Sequence, residues 1–193
     1  MRKLFSQSRL ASDRRGIAAT EFALIAPALI FLVMGVFEMT FRFRAVEEAT
    51  RYAHQAADLF SREEDLTTDV LEEIYGAAVH MMKPLDNIDD LDLDVSSIGF
   101  VGEDAEPEVY WRRVAGTPVT FDLADTEGMG IENETVIRVG VRYTYQSVIS
   151  NLFGGSIMTV EKSAYARPRM ERVIPLDDVE KDGGNIAYFS AAN

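Results

Sequence analysis

The sequence predicts an α+β chain. A long N-terminal helix crosses a membrane and continues into a small extracytoplasmic domain, where a second helix packs on an antiparallel β-sheet. Three observations predict this. Residues 17–37 form an apolar run in which Glu21 is the sole ionisable side chain. Helical spacing of apolar residues then continues to Phe60. From Leu91 onward the apolar period changes to two.

The first helix starts near Ile17. From Ile17 to Phe37 is 21 residues, about 31 Å as helix, enough to cross a bilayer core. Pro27 removes one backbone hydrogen bond, so a kink is expected there. Val46, Ala49, Tyr52, Ala53, Ala56, Ala57 and Phe60 recur at steps of three and four, with charged residues between them. The spine helix is therefore expected over 17–60. Thr67, Thr68 and Asp69 are candidate N-caps for a second helix. Its stripe is Val70, Leu71, Ile74, Tyr75, Ala78, Val79 and Met82, and Pro84 ends it.

Strands follow. Leu91, Leu93 and Val95 alternate with aspartates and Ser96, which reads as a solvated acidic face. Short strands are expected near Val109–Val114 and Thr117–Leu123. The strongest runs from Glu134 to Gln146, with Ile137, Val139, Val141, Tyr143 and Tyr145 on one face. An Asn-Leu-Phe-Gly-Gly break at 151–155 precedes a last strand over 157–166. These boundaries give a basic leader over 1–16, the spine helix, a head over 61–170 and an acidic, flexible tail over 171–193.

Charge divides the chain. The formal net charge is −13, with residues 1–16 at +4 and the remainder at −17. An acidic body repels phosphate, so nucleic acid is excluded as a partner. Basic residues before an apolar segment place the N-terminus in the cytoplasm and the head across the membrane, with lipid as a contact. With no cysteine, a disulfide framework and thiolate chemistry are excluded. A cleaved secretory signal is the competing reading, since Ala26-Pro27-Ala28 resembles a cleavage site. The apolar run continues past that site, and Glu21 falls where a signal core should be apolar.

Arg14-Arg15-Gly16, four further residues and Glu21-Phe22, followed by an apolar helix, resemble the TadE-like proteins of tight-adherence (Flp-type) pilus systems. These are pseudopilins of the wider type IV pilin group. Ala23-Leu24-Ile25-Ala26-Pro27 is similar to the family's continuation. So, more weakly, is the strand–Gly-Gly–strand stretch over 134–169. The resemblance implies cleavage between Gly16 and Ile17 by a membrane prepilin peptidase, on the cytoplasmic face of a bacterial inner membrane. Glu21 would become the fifth mature residue. It would pair with the terminal amine of a neighbouring subunit and, with Phe22, serve assembly. The implied partners are a sister pseudopilin, the major pilin, the assembly platform and the peptidase. The implied role is in pilus biogenesis, adhesion and biofilm formation, whether inside the fibre or at its base. Ile17 stands where many type IV pilins carry phenylalanine, which favours the tight-adherence subgroup. The metal pattern of the related TadG proteins fails at Asp94-Val95-Ser96-Ser97-Ile98.

Against this stands a plain single-pass anchor with a binding or sensor head, its Glu21 at the lipid interface. Asp86, Asp89, Asp90, Asp92 and Asp94 raise calcium as an idea, but the glycine and closing glutamate of an EF-hand loop do not occur at the required positions. His54 and His80 each lack a partner at i+4 for zinc. Trp111 reads as a core residue. No nucleophile triad or phosphate loop is recognisable, so no enzyme activity and no cofactor are expected.

Overall fold

The structure, a computed structural model, describes residues 15–82, 85, 87–147 and 157–190. The leader up to Arg14, Pro84, Asp86 and the Gly-Gly break at 151–155 lie outside the described residues. The chain divides into two compact units within its first helix, at Phe41 and Arg42.

Helix α1 spans Arg15–Phe60 and runs through Pro27. In the first unit its apolar side chains are exposed on all sides, from Ile17 and Leu24 to Phe37 and Phe41. An all-round apolar helix belongs in lipid or in the middle of other helices.

The second unit begins at Arg42, so the head takes in the last turns of α1 as well as the expected 61–170. Here α1 becomes one-sided. Ala45, Ala49, Tyr52, Ala53, Ala56, Ala57 and Phe60 are all buried. Helix α2, Thr68–Met81, is capped by Thr67, whose side chain accepts from the Val70 N–H. A remote acid strengthens that start: Asp177 accepts from the Thr68 N–H at 3.0 Å and from its hydroxyl at 2.7 Å. Leu71, Tyr75 and Ala78 form its buried stripe, whereas Val79 is exposed.

The strands are β1 (Leu91–Val101), β2 (Glu106–Ala115), β3 (Thr135–Gln146), β4 (Ile157–Ala166) and β5 (Ile186–Tyr188), in the order β4-β3-β1-β2-β5. The first four pair antiparallel, as expected. β5 lies parallel to β2, which makes the sheet mixed. The chain reaches it by a long return from β4 to the opposite edge, so no hairpin dictates its direction. One face carries Leu91, Leu93, Val95, Trp111, Val139, Val141 and Tyr143, and joins the buried stripes of both helices in a single core.

Three expectations are corrected. The aspartates of β1 are not a uniformly solvated face: Asp94 is fully buried. It lies on the second sheet face, which the segment 116–134 covers with Val119 and Thr126. Thr117–Leu123 is not a strand. Pro118 offers no N–H, and the backbone of Val119 is engaged by side chains: its N–H donates to Asp94, and its carbonyl accepts from Arg112 and Arg138. The described part of the tail, 171–190, is not loose. Ile174 and Leu176 are buried, the Trp111 indole donates to the Ile174 carbonyl at 3.0 Å, and β5 closes the sheet. Its acidic residues alternate with these apolar anchors, which its composition alone concealed.

Candidate functional site

The residues singled out by sequence lie at the start of α1. Gly16 and Ile17 are in its first turn, and both are exposed. The Thr20 hydroxyl reaches back to both carbonyls, at 3.2 Å to Gly16 and 2.8 Å to Ile17. Nothing in the fold demands glycine at 16. It is not among the residues at positive φ, and an added Cβ would meet nothing within 4 Å. In a helix, alanine would be more favourable by about 1 kcal/mol.

Glu21 is exposed, with no ion pair or hydrogen bond among the described residues. It follows Ile17 by four positions, one turn and about 6 Å along the axis. The two therefore share a helix side. Phe22 is 68% exposed. Pro27 leaves the Ala23 carbonyl without its helical N–H partner. Glu21 is thus a lone carboxylate on an apolar rod, one turn from the Gly16–Ile17 bond.

Residues 16–58 match the family model of TadE-like proteins. The chain is TadE-like over its N-terminal helix. The matched region joins the apolar run to the alanine-rich stretch that enters the head core, and it stops before the sheet. No curated protein and no solved structure matches the chain. The TadE-like match associates the protein with the tight-adherence pilus system and its components, a family of pilus parts rather than enzymes. Gly16–Phe60 is the one helix among the described residues long and apolar enough to cross a membrane, which suggests single-pass anchoring.

The head, beyond the matched residues, holds a cluster that sequence reasoning missed. Asp94 accepts two hydrogen bonds from Arg112 and one from the Val119 N–H. The fully buried Arg138 guanidinium stands 3.5 Å from Asp94 and stacks on the Phe121 ring, 3.9 Å from its centre. Burial pulls the Arg138 pKa below the usual arginine range, and Asp94 opposes that pull. An added Cβ at Gly140 would come within 2.7 Å of the Arg138 Nη2, so glycine there leaves room for the guanidinium. Arg138 and Arg142 alternate on β3 in sequence, and that pattern alone could not tell a buried arginine from an exposed one. The cluster is enclosed and its charges face one another, although the Arg138 Nε and Nη1 make no hydrogen bond. His54 and His80 are exposed on their helices. Among the described residues, no group of three or more histidines or carboxylates could hold a metal ion.

Proposed function

We propose that this protein is a pseudopilin or minor pilin of a tight-adherence pilus. It is made with a leader that prepilin peptidase removes between Gly16 and Ile17. Its mature helix stays in the bacterial inner membrane, and its acidic head stands outside the cytoplasm. The observation that carries this reading is the lone Glu21, one turn from Ile17 on an exposed apolar helix. Among the described residues that acid has no partner, and cutting after Gly16 would create an α-amine. A neighbouring subunit's amine would neutralise a charge that is costly in lipid. The exposed apolar side chains around it would pack against other pilin-like helices. Partners would be a sister pseudopilin, the major pilin and the assembly platform, and adhesion and biofilm formation would follow from the pilus.

The Gly16–Ile17 bond is wound into the first helical turn. Cleavage would therefore require that turn to open, which costs little at a helix end. Mass spectrometry and N-terminal sequencing of protein taken from membranes test the reading. A mature start at Ile17 is expected, and an intact Met1 in cells with active peptidase would refute it.

A further inference from the structure

Thr20 stands four residues after Gly16 and three after Ile17. Its hydroxyl lies 3.2 Å from the Gly16 oxygen and 2.8 Å from the Ile17 oxygen. A hydroxyl has one hydrogen, so the two contacts share it as a three-centre bond. Within helix α1, Arg15–Phe60, the Thr20 N–H is also the backbone donor to the Gly16 oxygen. A carbonyl oxygen has two lone pairs. Both acceptor positions of the Gly16 oxygen therefore face groups of a single residue, Thr20. Residues 16–20 are all exposed, so Thr20 is what covers that oxygen.

Threonines back-bond to helical carbonyls elsewhere in α1. Thr40 donates to the Val36 carbonyl and Thr50 to the Val46 carbonyl, each at 2.8 Å. Those bonds lie in mid-helix, inside a complete backbone ladder. The Thr20 bond lies in the first turn, where the leading N–H groups have no intrahelical partner and few bonds hold the chain. One more bond counts for more there. Its acceptor also belongs to the peptide bond between Gly16 and Ile17. Hydrolysis of that bond would add water: the water oxygen goes to the Gly16 carbonyl carbon, the C–N bond breaks and a proton passes to the Ile17 nitrogen. Negative charge develops on the Gly16 oxygen, and a peptidase has to place its own donor there. That donor must displace Thr20.

We infer that Thr20 is a positioning residue that restrains processing: its hydroxyl latches the first turn over the Gly16 carbonyl, and the peptidase acts on chains in which the latch is open. The inference rests on the proposed cleavage between Gly16 and Ile17. Gly16 and Thr20 then act in opposite senses. The glycine loosens the first turn, and the hydroxyl four residues on tightens it. The net strength of one such hydrogen bond corresponds to about a two- to tenfold change in the open fraction.

Pulse-labelling of the full chain in cells with active prepilin peptidase tests it. Thr20→Val keeps the β-branch and removes the hydroxyl. Its conversion to the form that starts at Ile17 should be about two- to tenfold faster than in the wild type. Thr20→Ser keeps a hydroxyl and should convert at the wild-type rate. Thr40→Val loses a back-bond far from the cut and should also match the wild type. Amide hydrogen exchange of the full chain in detergent micelles reads the turn without the peptidase. Protection of the N–H at position 20 should fall by a similar factor in Thr20→Val and stay unchanged in Thr20→Ser. Conversion of Thr20→Val at or below the wild-type rate overturns the inference. So does a Thr20→Ser that behaves like Thr20→Val, a Thr40→Val that is equally fast, or unchanged protection in Thr20→Val. In each of those cases a wild type that starts at Ile17 leaves the cleavage itself standing. A wild type that keeps Met1 overturns both.

Discussion

Asp94 and Arg112 form a two-point ion pair across β1 and β2, with Nε to Oδ1 at 3.0 Å and Nη2 to Oδ2 at 2.5 Å. Asp94 is fully buried and the Arg112 side chain is 17% exposed. The same carboxylate faces the buried Arg138 and accepts the Val119 N–H. One acid therefore organises two cations and the segment that covers the second sheet face.

Asp94→Ala should destabilise the head by about 3–5 kcal/mol, because it leaves two guanidiniums with little or no solvent and without their counter-charge. The check is chemical denaturation of the full chain in detergent, read by far-UV circular dichroism. Replacing Asp94 and Arg138 together, by Ala and Met, should cost less than Asp94→Ala alone, since the fully buried one of the two orphaned charges is gone and only the partly exposed Arg112 remains. If the double change costs the sum of the two single ones, the coupling described here is absent.

Alkaline pH should loosen the core through its tyrosines. The Tyr75 hydroxyl donates to the Leu91 carbonyl at 2.7 Å. Burial, then Asp92 and Asp89, push its pKa from 10.0 up to about 12. Tyr52, which donates to the Ile74 carbonyl, is raised too, by burial and then by Tyr75. A raised folded pKa favours the protonated form. Its stabilisation is whole below the unfolded value of 10 and is lost as pH climbs toward 12. In that window stability should fall by up to about 1.4 kcal/mol per pH unit for each tyrosine. Denaturation midpoints taken from pH 8 to 11.5 should show the slope, and Tyr75→Phe should flatten it. An unchanged slope in Tyr75→Phe would mean that Tyr75 is not the titrating group.

The residues after Glu171 act as a strap. Leu176 is buried, its N–H donates to the Val179 carbonyl, and the Asp177 N–H donates to the Leu66 carbonyl. The Asp177 carboxylate then caps α2. Leu176→Ala should cost about 2–5 kcal/mol, and Asp177→Ala about 1 kcal/mol. Limited proteolysis should cut 171–190 earlier in Leu176→Ala than in the wild type. Equal cleavage rates would mean that the strap does not hold this segment.

Periodicity made much of this molecule legible. The alanine stripe of α1, the Leu71–Tyr75–Ala78 face of α2 and the alternation of β3 each repeat a local pattern that burial enforces. What stayed hidden depends on long-range partners. Asp94 looked like its neighbours Asp90 and Asp92 until Arg112 and Arg138 were brought to it from two other strands. Thr117–Leu123 has strand-like composition, but Val119 bonds to side chains instead of to a neighbouring strand. Ile174 and Leu176 are two apolar residues in an acidic stretch, too few to show a period, and Trp111 and Leu66 supply their partners from far away. Gly16 and Glu21 stand out in the sequence for the opposite reason. Among the described residues neither has a role in folding that would conceal it: one is a glycine where the helix does not need one, the other an acid with no partner.

A substitution at Glu21 would tell anchoring from the proposed assembly role. A charge inside a membrane helix costs up to about 2.5–3.5 kcal/mol at the helix centre, and less near the end where Glu21 stands. Glu21→Gln removes that charge at nearly constant volume. The variant should therefore enter the membrane at least as well as the wild type. A pairing with a neighbour's terminal amine, however, would shrink from a charged contact to a neutral hydrogen bond. Membrane fractionation should find the variant retained. Recovery of other pilin-like subunits after in-cell crosslinking should fall about tenfold or more. Equal recovery from wild type and variant would reduce Glu21 to an incidental acid at the lipid interface. Loss from the membrane fraction would show that it serves anchoring instead.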